Sequence, residues 1–189
     1  MEAFSDGVLA IIITVMVLEI KPPHGVTWHA VENTLPALAA YAMSFVYIAI
    51  YWNNHHHMLQ SAQRVNGAVL WANMHLLFWL SLVPPVTAWL ADAGLHTAPV
   101  AVYGFLLIMA AVAYYILTLT LVAVHGQNSE IARALGSDFK GKISIVAYAV
   151  AIGFAWVEPI VSCVLFVIVA VMWLVPDRRF ERIHAQEQA

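Results

Sequence analysis

The sequence predicts an all-α integral membrane protein, a single domain of six transmembrane helices. Three observations predict it. The 189 residues are 62% hydrophobic and only 10% charged, whereas a soluble domain carries roughly 25% charged residues. So few charges cannot cover a globule of this size with a polar surface. The apolar residues fall into runs of bilayer length, and the basic residues lie on alternate sides of those runs. The net charge of −3 carries no nucleic-acid signal. The one cysteine, Cys163, lies in an apolar run as a packing residue, which excludes a disulfide framework.

A span needs about 20 apolar residues, usually about 17 to 25. The first covers residues 4–20, "FSDGVLAIIITVMVLEI". Its early charges, Glu2 and Asp6, are acidic, and Lys21-Pro22-Pro23 follows it. That is not the basic start and small-residue cleavage site of a secretory signal, so a retained helix is expected. Residues 35–59 form the second span, with Asn33 and Thr34 as N-cap candidates. Residues 68–91 form the third, where Pro84 and Pro85 predict a kink or break. Residues 100–124 form the fourth.

The final apolar stretch, 143–175, would be about 50 Å long as one helix, against a hydrocarbon core of about 30 Å. Glu158-Pro159 interrupts it, so two short spans are expected, 142–157 and 159–175, before a cytoplasmic tail at 176–189. Charge supports the division. With six spans, Arg64, Arg133, Lys140, Lys142, Arg178, Arg179 and Arg182 share one side, and Lys21 alone lies on the other. With five spans the C-terminal arginines cross over and the count becomes four against four. The basic side is cytoplasmic, which places both termini inside, in the cell's inner membrane. The polar loop 125–139 has room for a short amphipathic helix.

This topology brings Ser5 and Asp6 to the depth of His55, His56 and His57 at the end of helix 2, and of Asn73 and His75 in helix 3. An aspartate at the membrane boundary needs a partner. Two readings of Asp6 stand: a helix N-cap, or a cross-helix network with a helix 2 histidine. Three adjacent histidines point about 100° apart on a helix, so they cannot share one ion, and no metal site is expected from them. One histidine faces the bundle and the others the headgroups. On helix 1, Phe4, Ile11, Thr14 and Leu18 recur on one face, with Asp6 on another. By pattern alone that face meets lipid or core.

The residues quoted from helix 1 resemble the FSD signature that opens the first helix in the family of the endolysosomal potassium channel and its bacterial homologues. Phe4, Ser5 and Asp6 are that signature, and Thr14, Leu18 and Glu19 fit its pattern. "YWNNHHHML" is similar to the family's Trp…His element and "LWANMHLLFWLSLVPP" to its Asn…Pro element. The position of the family's arginine, four residues before the phenylalanine, falls before Met1. Helices 4 to 6 match in hydropathy alone.

The resemblance implies a potassium-permeable cation channel, a homotetramer in the lipid bilayer with helix 1 lining a central pore. Ile11 would form the apolar constriction, Thr14 a layer favouring potassium, and Leu18 a further apolar layer. Phe4, Ser5 and Asp6 would tie helix 1 to helices 2 and 3 through Trp52, His55 or His56, and Asn73. No TVGYG-type filter is present. Glu19 reads equally as a cation-concentrating group at the outer mouth or as an ordinary interfacial charge. The protein is expected to be no enzyme, to need no cofactor beyond permeating monovalent cations, and to bind no nucleic acid. The alternative is a proton-coupled transporter using Asp6 and a helix 2 histidine. Its polar groups belong at mid-membrane, where this sequence is apolar.

Overall fold

The computed structural model describes residues 1–23, 25–127, 129–135 and 139–174. The expected tail at 176–189, with Arg178, Arg179 and Arg182, lies outside them. Among the described residues the chain forms nine α-helices: α1 (Glu2–Leu18), α2 (Trp28–Glu32), α3 (Leu35–Gln60), α4 (Gly67–Ser81), α5 (Val83–Ala93), α6 (Thr97–His125), α7 (Glu130–Leu135), α8 (Phe139–Phe154) and α9 (Pro159–Leu174). The segments Trp28–Gln60, Gly67–Ala93 and Thr97–His125 are long and apolar enough to cross a membrane, and Pro159–Leu174 is a shorter apolar helix.

Proline chemistry sets several of the boundaries. Pro36 lies in the first turn of α3, and Pro159 opens α9, positions where a missing N–H costs nothing. The third apolar run is two helices, meeting at Leu82. Pro84 and Pro85 cannot donate to the carbonyls of Leu80 and Ser81, and their rings crowd that turn. The ladder therefore ends before the prolines and restarts with them in its first turn. Residues 155–158 turn the chain between α8 and α9, where the amides of Val157 and Glu158 both bond to Phe154 O.

The long helix α6 packs against α4, α5, α8 and α9, while α1 packs against α3, α4 and α5. Two apolar cores result. One joins α1, α4 and α6 around Leu9, Met16, Leu76 and Leu117. The other joins α3, α6, α8 and α9 around Tyr47, Tyr103, Tyr148 and Phe166. Lipid drives helices together weakly, because it is as apolar as they are. Buried polar groups supply specific joints instead. Ser44 Oγ lies 2.7 Å from Thr87 Oγ1 and 3.0 Å from Tyr103 Oη, linking α3, α5 and α6. Tyr47 donates to Phe166 O at 2.6 Å, and Trp173 Nε1 to Ser144 Oγ at 2.8 Å.

A close helix approach is made at Gly104 of α6. A Cβ there would lie 2.7 Å from Ile152 Cγ1 and 3.0 Å from the buried Phe166 ring. Gly104→Ala is expected to destabilise the protein by about 1–3 kcal/mol through overpacking. A melting curve of the purified protein in detergent checks this; an unchanged or raised Tm would show that α6, α8 and α9 part freely.

Candidate functional site

The anchoring of α1 is built from three helices. Ser5 lies in its first turns and is fully buried. Asn66 caps α4 by accepting from Val69 N, and this start sets Asn73 two turns in, facing Ser5. Asn73 Nδ2 donates to Ser5 Oγ at 2.9 Å, and Ser5 Oγ donates to the carbonyl of Met1 at 3.2 Å. The other end of the Asn73 amide, Oδ1, lies 2.7 Å from His55 Nε2 of α3. Asn73 uses its amino group on Ser5, so its oxygen must accept, and His55 carries its proton on Nε2. The chain His55–Asn73–Ser5 is thus directional and buried throughout.

Asp6, the next residue, looks toward α3. Its Oδ1 accepts from Trp52 Nε1 at 3.0 Å, and its Oδ2 lies 3.6 Å from His56 Nδ1. Glu2, one turn earlier, brings Oε1 to 3.2 Å from the same nitrogen. The rings of Trp52 and His56 stack at 5.5 Å. The three histidines therefore divide their work: His55 is buried, His56 half-buried and His57 exposed. Of the expected network residues, Ser5, Asp6, Trp52, His55, His56 and Asn73 come together. Phe4 does not join them and is 56% exposed. His75 lies apart and accepts from Trp79 Nε1 at 2.9 Å.

The rotation that buries Ser5 also buries Leu9, Ile12 and Met16. It leaves Ile11 61% and Leu18 81% exposed, with Thr14 exposed between them. Thr14 Oγ1 donates to Ile11 O at 2.8 Å, so its proton is engaged within the helix and its oxygen lone pairs remain outward. Glu19 ends the helix, exposed. Nearby, Lys21 Nζ meets Asp92 Oδ2 at 2.7 Å. That pair is mostly exposed and contributes little.

Sequence reasoning missed Glu2 as a member of the site. The signal was present: Glu2 and Asp6, like Trp52 and His56, stand four residues apart and share a helix face.

An all-helical membrane protein with one polar-anchored helix, presenting a bare apolar face beside a threonine, fits the class of membrane transport proteins. Comparison with known proteins makes this specific. The sequence profile of the family described as "Endosomal/lysosomal potassium channel TMEM175" matches residues 1–84. A potassium channel of Chryseobacterium sp. is 49% identical over 182 residues, 96% of this chain and 95% of that protein. A potassium channel of Streptomyces collinus is 41% identical over 60% of this chain and 59% of its own length. Among solved structures, the crystal structure of a lysosomal potassium-selective channel TMEM175 homolog from Chamaesiphon minutus superposes with a TM-score of 0.79. It has 28% identity and coverage of 93% of this chain and 95% of that one. The chain belongs to the TMEM175 potassium channel family.

The polar anchor makes a graded prediction. Asn73→Leu strands His55 Nε2 in the core, at roughly 1–3 kcal/mol for a buried group left unpaired, and takes from Ser5 one of its two bonds while leaving the one to Met1 O. Trp52→Phe removes one partly exposed bond, worth about 0.5–1.5 kcal/mol. Melting curves should therefore fall further for Asn73→Leu; the reverse order would make the Asp6–Trp52 bond the principal anchor.

Proposed function

We propose that the protein is a potassium-permeable channel, a homotetramer whose central pore is lined by α1 from each subunit. The observation that carries this reading is the division of α1 into two faces. One is locked to α3 and α4 by buried hydrogen bonds, and the other presents Ile11, Thr14 and Leu18 bare to the outside of the subunit. The relatives' names as potassium channels support it.

On this reading six spans cross the membrane: α1, α3, α4 with α5, α6, α8 and α9. Helix α1 has 17 residues, and α8 and α9 have 16 each. They rise only about 24–26 Å, so they stand nearly upright or thin the bilayer locally. Both termini face the cytoplasm by the positive-inside rule, and the protein sits in a bacterial inner membrane.

Conduction then needs no cofactor and no chemical step. Four Ile11 side chains narrow the path into an apolar throat, which blocks ions by losing its water. An outward tilt of α1 readmits water. Thr14, one turn on, offers a ring of hydroxyl oxygens whose protons are already committed to backbone, so the ring presents acceptors to a dehydrating cation. Leu18 adds a second apolar layer. Glu19 beyond it draws cations to the outer mouth.

Potassium flux from liposomes tests the channel itself, and absence of flux from folded, reconstituted protein would refute it. Ile11→Asn is expected to increase the flux or weaken selectivity, because a polar ring stays wet; unchanged permeation would move the constriction elsewhere. Chemical crosslinking should give a ladder that ends at four copies, and a ladder ending at two would exclude the tetramer.

A further inference from the structure

We propose that Glu2, Asp6 and His56 form a binding site for a divalent transition-metal ion that clamps the first turn of α1 to α3. The three side chains each bring one ligand atom to within 4.8 Å of the other two. Glu2 and Asp6 are one turn apart on α1, and His56 faces them from α3. The imidazole Nδ1 is shielded from solvent and makes no hydrogen bond. Yet it stands 3.2 Å from Glu2 Oε1 and 3.6 Å from Asp6 Oδ2. It therefore lies between two carboxylates and is aligned with neither.

Those separations suit ligands of one ion. Atoms held about 2.1 Å from a metal, at octahedral to tetrahedral angles, are about 3.0–3.4 Å apart. Small side-chain rotations close the remaining difference. The surrounding bonds also fit. A ligating histidine donates its other N–H to an outer partner, which fixes the ring. The Gln60 amide nitrogen lies 2.9 Å from His56 Nε2, and the amide's oxygen and nitrogen exchange places with no change of shape. With its oxygen turned to the ring, Nε2 donates and Nδ1 keeps its lone pair for the ion. Trp52 holds the other oxygen of Asp6 and stacks on the imidazole. Two of the three ligands, Asp6 and His56, thus each carry an outer bond.

Two carboxylates and one imidazole suit manganese, iron, cobalt or zinc in the divalent state. The ligand side chains are partly exposed, so water fills the remaining positions. The ion's charge offsets the two carboxylates at the membrane boundary. The site is separate from the expectation drawn from three adjacent histidines: only His56 contributes, and both other ligands come from α1. Because the clamp grips the helix that carries Ile11 and Thr14, occupancy should change conduction. That last consequence rests on the pore reading, whereas binding does not.

Isothermal titration of the purified, full-length protein with Co2+ tests the site. One Co2+ per chain is expected. Glu2→Gln and His56→Gln should each weaken binding by about tenfold or more, and Gln60→Leu, which touches only the outer bond, by about tenfold. Glu2 is partly exposed in the first turn, so Glu2→Gln keeps the test open if His56→Gln fails to fold. No binding, or binding unaltered by Glu2→Gln and His56→Gln, overturns the proposal. In liposomes, Co2+ should alter potassium flux through the wild type and not through Glu2→Gln. Binding without any effect on a measurable flux refutes the clamp on conduction while leaving the pore reading intact.

Discussion

Helix α1 contains Ile11-Ile12-Ile13 in succession. Three identical side chains pointing in three directions give hydrophobic burial almost nothing with which to choose a rotation about the helix axis. In lipid the indifference deepens, because the alternative to burial is hydrocarbon. The choice falls to Ser5. Its hydroxyl bonds to Asn73, and Asn73 to His55. Turning α1 by one residue would carry Ser5 out of the core and leave the Asn73 Nδ2 donor unpaired where no water replaces its acceptor. Ile12 is buried and Ile11 exposed for that reason, and the rest of the helix follows from it.

The same logic recurs across the bundle. Ser44 with Thr87 and Tyr103, Tyr47 with Phe166, and Ser144 with Trp173 each fix one helix against another. Each joint is small, and each would cost more to break than to make, since a stranded polar group has nowhere to turn. The apolar residues between the joints fill space and set distance, as at Gly104. Specificity lies in the few polar groups, and stability in the many apolar ones.

This division explains what the sequence disclosed. Bilayer-length runs and the Glu158-Pro159 break are one-dimensional signals, and helices α3, α6, α8 and α9 lie where those signals fall. The Pro84-Pro85 pair marked the interruption of the third run, but its position at Leu82 depends on which carbonyls the prolines deprive. Helix α2 went unseen, because Trp28–Glu32 is too short for periodicity to register; its Thr27 cap was the available sign. The sequence could say that one histidine of three faces inward. It could not say that His55 does, because that depends on where Asn66 starts α4 and hence on where Asn73 points. Glu2 was legible only as the partner of Asp6 one turn away, and its meeting with His56 required both helices in place.

In the proposed pore, the two faces of α1 meet opposed demands. A helix that borders a water-filled path must not rotate, or its apolar ring is lost. A ring that empties of water must carry no hydrogen-bonding groups of its own. Polar anchoring and an apolar throat cannot share one face, so the sequence separates them. Ser5 and Asp6 take the anchoring, at one end and on one side. Ile11 and Leu18 keep the opposite side apolar, and Thr14 spends its only donor on its own backbone. The anchored end then fixes the direction of the helix, while the contacts of Leu9, Ile12 and Met16 are apolar and permit sliding without any hydrogen bond being broken. In the proposed tetramer, that combination lets the throat change width while the register of the pore-facing residues is kept.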